Sequence, residues 1–187
     1  MNHIEYGPLA GIIGVWKGNS GTDVSPEPSV GTEKTPYTET LTCEAIGDVI
    51  NAKKQHLWVV RYHQVVRRKS DDEVFHDQVG YWIWDADRQQ VIQSLTIPRA
   101  VCVLAGGTAS TELDGTTHID VTAKAGDPHW GIVQSPFMDS NAKTTAYRHQ
   151  LTVKDDLLTY SQSTLLDIYG KSFDHTDGNT LLRSDHS

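Results

Sequence analysis

The sequence is poor in cysteine and has no long apolar run. Cys43 and Cys102 are the only cysteines among 187 residues, so we expect no disulfide framework, and no CxxC or Cys/His spacing indicates a zinc site. Both lie in apolar runs, where a free cysteine behaves as a small buried hydrophobe. No apolar run approaches the roughly 20 residues of a spanning helix, so we expect no membrane partner.

Positive charge is also scarce. Sixteen Lys and Arg face 24 Asp and Glu, which gives a formal net charge of −8. This argues against nucleic acid as a partner, because phosphate binding needs a basic surface. The N-terminus has no charged segment followed by an apolar stretch, so we expect no signal peptide and a cytoplasmic location.

The familiar catalytic motifs are missing as well. The chain has no GxSxG, no P-loop, no HExxH and no GxGxxG after a strand. The pair Gly106-Gly107 is interpreted as a turn. The residues alone therefore identify no catalytic group.

What the sequence has in quantity is strands. Period-2 alternation and β-branched or aromatic enrichment predict strands at 15–19, 37–46, 56–68, 74–85, 90–97, 100–105, 118–124, 142–154, 157–169 and 172–182. Polar turns at 69–73 and 155–156 make hairpins, and 8–13 is the one good helix signal. We expect a single all-β domain over residues 1–187, an up-and-down antiparallel barrel of about ten strands.

Two segments rich in proline and glycine, 22–36 and 125–141, are predicted to be long loops. Such loops are often functional. The second carries Trp130, Phe137 and Met138, whose exposure is unfavourable, so we expect it to fold over a barrel mouth.

Four histidines lie in predicted strands: His56, His63, His76 and His149. A hairpin turning near Ser70 sets His63 near Asp77, and Gln64 near His76. Imidazole suits zinc, copper, iron and nickel, so one interpretation is a non-haem metal site. The other is ordinary cross-strand pairing within the barrel.

The strand at 74–85 is apolar on both faces. Trp82 and Trp84 share one face, and Tyr81 and Ile83 share the other. We expect core packing on one side, with a cavity wall or a homodimer face as the functional alternative.

Several segments carry a family resemblance. Residues 8–18 contain Gly14-Val15-Trp16-Lys17-Gly18, the kind of opening in which a tryptophan plugs one end of a small ligand-binding barrel. With the strand at 37–42, this opening resembles the nitrobindin family of haem-binding barrels, which are shaped like fatty-acid-binding proteins. Residues 80–85 and 167–177 look like a bacterial branch of that family.

The resemblance implies a b-type haem inside the barrel, with His175 as the iron ligand by position. Asp174 or Asp177 would then orient the imidazole ring. Arg99, at a strand break after Pro98, is a candidate clamp for the haem propionates, or else the partner of a carboxylate. The family's chemistry implies nitric oxide binding and isomerisation of peroxynitrite to nitrate at ferric haem.

A different class of function is also open. A cofactor-free barrel would bind a small apolar or amphipathic ligand and would be closed by segments 22–36 and 125–141. His175 would then be a surface residue in a polar terminal turn.

Overall fold

The computed structural model describes residues 3–29 and 31–184 and consists mainly of β-strands. The strands are β1 (Gly14–Pro26), β2 (Thr32–Asn51), β3 (Gln55–Arg68), β4 (Val74–Asp85), β5 (Gln90–Ile97), β6 (Val101–Thr111), β7 (Thr117–Lys124), β8 (Ile132–Gln134), β9 (Ala142–Lys154), β10 (Leu157–Ile168) and β11 (Lys171–Ser184). A 3-10 helix spans His3–Ile12, and the short helix α1 spans Pro136–Asn141.

Ten of these strands form one closed antiparallel barrel. Each strand pairs with the next along the chain, β7 pairs with β9, and β11 returns to β1. Pairing of β5 with β6 completes the cylinder. The three-residue β8 pairs with the start of β6, at Val101–Val103, before the β6–β7 pairing begins at Gly106. The predicted all-β barrel is therefore confirmed, with both predicted hairpin turns. No helix among the described residues is long and apolar enough to cross a membrane.

The 3-10 helix closes one end of the barrel. Leu9, Ile12 and Trp16 are completely buried there. The indole Nε1 of Trp16 donates to the Ile12 carbonyl oxygen at 2.8 Å, and the Arg183 guanidinium lies 4.1 Å from the indole ring centre. Trp16 is thus the plug that the opening motif predicted, and it carries a cation–π contact as well.

The prediction of a loop at 22–36 is wrong. Strands β1 and β2 continue through this segment as a hairpin. Their pairing runs from Thr22 opposite Pro36 to Pro26 opposite Thr32. The prolines are tolerated because Pro26 ends a strand and Pro28 lies in the turn. Pro36 lies just outside the β2–β3 pairing, which begins with Tyr37 opposite Arg68. No backbone N–H is therefore needed at Pro36 for a hydrogen bond to β3. Val30, in the turn, is outside the described residues.

Gly106-Gly107 is not a turn but the middle of β6. Both glycines pair with β5 on one edge of β6 and with β7 on the other. A Cβ at Gly106 would lie 2.3 Å from the Trp130 side chain, and one at Gly107 would lie within 2 Å of the Asp120 carbonyl oxygen. Glycine in this strand therefore marks close approach of neighbours.

Segment 125–141 is more ordered than predicted, since it contains β8 and α1. Ser135 caps α1 by accepting a hydrogen bond from the Met138 backbone N–H at 3.3 Å. Met138 lines the barrel cavity, in agreement with the expected cover, whereas Phe137 is 71% exposed.

The wall alternates between inside and outside as expected. Trp82 and Trp84 are buried, and Tyr81 is 43% exposed on the outer face. Cys43 is buried in the core, but Cys102 is exposed, because it occupies an outward position of β6. The expectation that both cysteines are buried is wrong for Cys102.

Candidate functional site: the barrel cavity

The half of the barrel opposite Trp16 encloses a cavity of about 370 Å³. Strand alternation builds it, since every second residue of a strand points inward. From β2 it receives Glu33, Thr35 and Tyr37, and from β11 it receives His175 and Asp177. Tyr37, Gln162 and Asp177 mark its inner limit.

One wall of the cavity is apolar. It consists of side chains from β4, β5, β6 and α1: Phe75, Leu95, Ile97, Val101, Val103 and Met138. Leu166 and Ile168 of β10 add apolar surface beside β11. Such a wall, with a few convergent polar groups opposite, is typical of sites for small organic ligands.

The predicted site residue His175 lies in this cavity, on β11. Its Nε2 is 2.6 Å from Oδ1 of Asp23, on the neighbouring strand β1. Burial alone would lower the pKa of His175, but the hydrogen bond and charge of Asp23, with the charge of Asp177, raise it above its usual value. The ring is therefore oriented by a carboxylate.

The orienting carboxylate is not the one that the sequence predicted. Asp174 points outward, where it accepts a hydrogen bond from the Ser163 hydroxyl at 2.5 Å. Asp177 does face the cavity, but among the described residues its Oδ1 is buried without a hydrogen-bond partner. Asp23 was missed because it lies in the segment interpreted as a loop.

Asp177 and Asp23 occupy directly opposed positions of β11 and β1. Burial raises the pKa of Asp177 to about 7; the charge of His175 lowers it, while those of Asp23 and Glu39 raise it further. The paired strands β1 and β11 thus bring Asp23, Asp177 and the His175 imidazole together in the cavity lining.

Arg99, the second predicted site residue, also lines the cavity, from the turn between β5 and β6. Its Nη2 donates to the Phe75 carbonyl oxygen at 3.4 Å. Within the part of the chain that the structure describes, it forms no ion pair, in contrast to Arg68, which binds Asp71 and Glu73. Its guanidinium is available to an anionic group at the mouth.

The strand histidines do not form a metal site. His56 and His63 are exposed, and His63 pairs with Asp77 at 3.1 Å as predicted. His76 lies opposite Val66 rather than beside Gln64, and lines the cavity. Burial lowers the pKa of His76, as do the charges of Arg99 and His175. No group of three or more metal-binding side chains occurs among residues 3–29 and 31–184.

The floor of the cavity is polar, which the sequence analysis missed. The Tyr147 hydroxyl lies 3.0 Å from Oε1 of Gln93 and 3.0 Å from Oε1 of Gln162, and its single proton bonds to one of them at a time. His149 lies deeper, with Nδ1 at 3.2 Å from both Gln93 and Tyr147. Burial lowers the pKa of His149 to about 4, so its ring is neutral at pH 7.

Comparisons with known proteins agree with this architecture. The family described as "THAP4-like, heme-binding beta-barrel domain" matches residues 5–183. The crystal structure of Rv2717c from M. tuberculosis superposes with a TM-score of 0.68 at 20% sequence identity, covering 98% of each chain. At that identity it shows the fold alone. No curated protein matches the sequence.

Proposed function

Because this chain belongs to the THAP4-like family of haem-binding β-barrel domains, the nitrobindin family, we propose that it holds haem b in the barrel cavity, with His175 as the iron ligand. We further propose that the loaded protein binds nitric oxide and isomerises peroxynitrite to nitrate. The observation that carries the proposal is an imidazole, oriented by a carboxylate, that lies inside a cavity with an apolar wall.

The residues present fit haem. Non-covalent haem needs a neutral imidazole, an apolar slot and polar partners for its propionates. In the described residues His175 uses only Nε2 for hydrogen bonding, to Asp23, and leaves the other ring nitrogen for a metal. The apolar wall supplies the slot, and Arg99 supplies a cation at the mouth.

When bound, ferric haem supplies an electrophilic centre with a vacant position for a small ligand. The chain's own residues do the rest. Asp23 accepts the N–H at Nε2 of His175, which fixes the tautomer of the neutral ring so that Nδ1 carries the lone pair for iron. The apolar wall excludes water from the ligand side. Arg99 forms charge-assisted hydrogen bonds with a carboxylate at the entrance.

Haem titration into the purified protein tests the proposal. We expect a Soret band with one-to-one saturation, and its loss or shift in His175→Ala. His63→Ala is the matched control, because His63 also pairs with an aspartate but lies outside the barrel. In His175→Gly, added imidazole should restore the spectrum if the ring acts as a ligand.

Two results would overturn the proposal. If the wild type takes up no haem, the cavity belongs to a cofactor-free binding barrel. If His175→Ala binds haem unchanged, His175 is not the iron ligand. If haem binds but the loaded protein forms nitrate from peroxynitrite no faster than free haem, the isomerase activity is excluded and haem or nitric oxide binding remains.

A further inference from the structure

A buried carboxylate, Glu39, lies directly beneath the cavity floor. It is 3% exposed. Its Oε2 accepts hydrogen bonds from the Tyr160 hydroxyl and from Nδ2 of Asn179, both at 2.9 Å, and its Oε1 accepts one from Nε2 of Gln64 at 2.8 Å. No cationic side chain among the described residues pairs with it. A buried carboxylate held only by neutral donors is expensive for a fold, and such groups concentrate at functional sites.

A continuous hydrogen-bonded chain joins Glu39 to the cavity. The hydroxyl oxygens of Tyr160 and Tyr37 are 2.8 Å apart. Since Tyr160 donates its proton to Glu39, its oxygen is the acceptor for Tyr37. Tyr37 lines the cavity. The Gly178 carbonyl oxygen, 3.2 Å from the Tyr37 hydroxyl, is the more distant acceptor for the same proton. With Tyr37 donating to Tyr160, the donors run in one direction, from the cavity through two phenols to the carboxylate.

The barrel geometry places these groups together. Tyr37 and Glu39 share the inner face of β2, two positions apart. Tyr160 of β10 lies opposite Asn179 of β11. Gly21 of β1 lies opposite Tyr37, and a Cβ there would come within 2.0 Å of the Tyr37 ring. The absence of a side chain at Gly21 makes room for the phenol.

We propose that Glu39 is the proton acceptor for weak acids that bind in the cavity as their anions. The ligand HX gives its proton to the Tyr37 oxygen, Tyr37 passes its own proton to Tyr160, and Tyr160 passes its proton to Oε2 of Glu39. The H–X bond breaks, an O–H bond forms on Glu39, and X⁻ stays in the cavity with no electron transferred. The inference rests on the proposed function in one respect only: the haem iron would be the group that holds the anion X⁻ in the cavity.

The surrounding charges agree with this direction of transfer. Burial raises the pKa of Glu39, partly opposed by its hydrogen bonds from Asn179, Gln64 and Tyr160. Burial also raises the pKa of Tyr37 and of Tyr160, helped by the charges of Asp177 and Glu39. Both phenols thus stay protonated as relays.

Other titratable groups face this chain from neighbouring strands. Asp177 on β11 and Asp23 on β1 lie near Tyr37, and both their charges raise its pKa. The His149 ring on β9 packs edge-on against Tyr160, with centroids 5.4 Å apart. Since His149 is neutral at pH 7, the two aspartates are the charges that the experiment must separate from Glu39.

The first test uses the protein without haem. ¹³C NMR follows the Glu39 carboxyl carbon and the Tyr37 ζ carbon through a pH titration. We expect the titration of Glu39 to change the chemical shift of the Tyr37 ζ carbon as well as that of the Glu39 carboxyl carbon. In Tyr160→Phe the change at Tyr37 should vanish. Asp177→Asn identifies the step that belongs to that aspartate. The control Tyr62→Phe removes a buried phenol whose hydrogen bonds, within the described part of the chain, go to Gln78 and Gln93 alone, so it should change nothing at Tyr37.

The second test uses haem-loaded protein and hydrogen cyanide, a weak acid that binds ferric iron as its anion. Tyr37→Phe, which leaves Glu39 fully hydrogen-bonded, should slow cyanide association at neutral pH by about tenfold or more, as expected for loss of positioned proton transfer. The difference should disappear above the pKa of HCN, where solution already supplies the anion.

The outcomes separate the two proposals. Failure of haem uptake appears as a missing Soret band and leaves the NMR test intact. If the chemical shift of the Tyr37 ζ carbon does not respond to the titration of Glu39, the proposed proton transfer through Tyr37 and Tyr160 is wrong. Cyanide rates that are equal in Tyr37→Phe and wild type, or slowed equally at every pH, would also overturn it, because a purely structural role has no pH signature.

Discussion

Nε2 of His175 and Oδ1 of Asp23 lie 2.6 Å apart across the pairing of β11 with β1, although 152 positions separate the two residues in the chain. Asp23 makes no other side-chain hydrogen bond among the described residues. Its carboxylate is therefore committed to the imidazole, which makes it the residue whose loss tests the orientation of the ring.

We expect Asp23→Asn to weaken haem affinity by roughly 10–100-fold, the range for partners that orient a metal-binding histidine. Haem titration measures the affinity. Asp77→Asn, which removes the partner of the outward-facing His63, is the matched control and should bind haem like the wild type. Equal affinities in all three proteins would mean that Asp23 does not orient the ligand.

Asp177→Asn should stabilise the haem-free protein above pH 7. The pKa of Asp177 is raised to about 7 in the folded state, so folding favours its neutral form. Stability is lost as pH rises from the unfolded value near 4 to about 7, and the loss is complete above that. Asparagine removes the buried charge and should gain about 1–3 kcal/mol there.

Urea unfolding at several pH values measures this gain, which should shrink to nothing near pH 4, where the wild-type carboxyl is neutral in both states. A gain that does not vary with pH would show that the charge of Asp177 is not its source.

Trp16→Ala should lower the free energy of unfolding by roughly 3–5 kcal/mol, as for other buried tryptophans cut back to alanine. The side chain is completely buried and also loses its bond to Ile12 and its contact with Arg183. Trp130→Ala, at a half-buried position over Gly106, should cost less. An unchanged urea midpoint in Trp16→Ala would contradict the plug.

Arg99→Gln should weaken binding of haem but not of haem dimethyl ester, whose propionates carry no charge. The expected change follows from the loss of charge-assisted hydrogen bonds at the mouth. Arg61→Gln, which removes an arginine paired with Glu44 outside the barrel, is the control. Equal losses for haem and its ester would assign Arg99 a packing role instead.

The barrel could be predicted because its strands alternate strongly and its hairpin turns are polar. The pairing between strands could not be predicted to the same degree. The wild-type register contains bulges between Gly18 and Gly21 in β1 and between Ala45 and Gly47 in β2. Each bulge shifts which residues face each other. The β3–β4 hairpin is likewise displaced from the predicted register, with an irregularity between Val66 and Arg67, so His76 lies opposite Val66 instead of Gln64.

The candidate site could be predicted only in part, because it too depends on the register between strands. His175 was reached through family resemblance and Arg99 from its position at a strand break in apolar surroundings, and both line the cavity. To predict Asp23 and the polar floor, one would have needed the pairing register between strands that lie far apart in the sequence. One signal was available: Thr35, Tyr37 and Glu39 alternate on β2, and a glutamate on the inner face of a barrel strand is unusual enough to mark a buried network.

The pairing of β11 with β1 has a consequence for the order of events in folding. Most other barrel pairs join strands adjacent in the chain and close short loops, whereas this pair closes nearly the whole polypeptide, which is entropically the most demanding contact. His175 and Asp23 sit on this seam. A partly folded chain therefore lacks the paired His175 and Asp23 that form the ligand site. Ligand uptake during folding would report that β1 and β11 have paired and the barrel has closed.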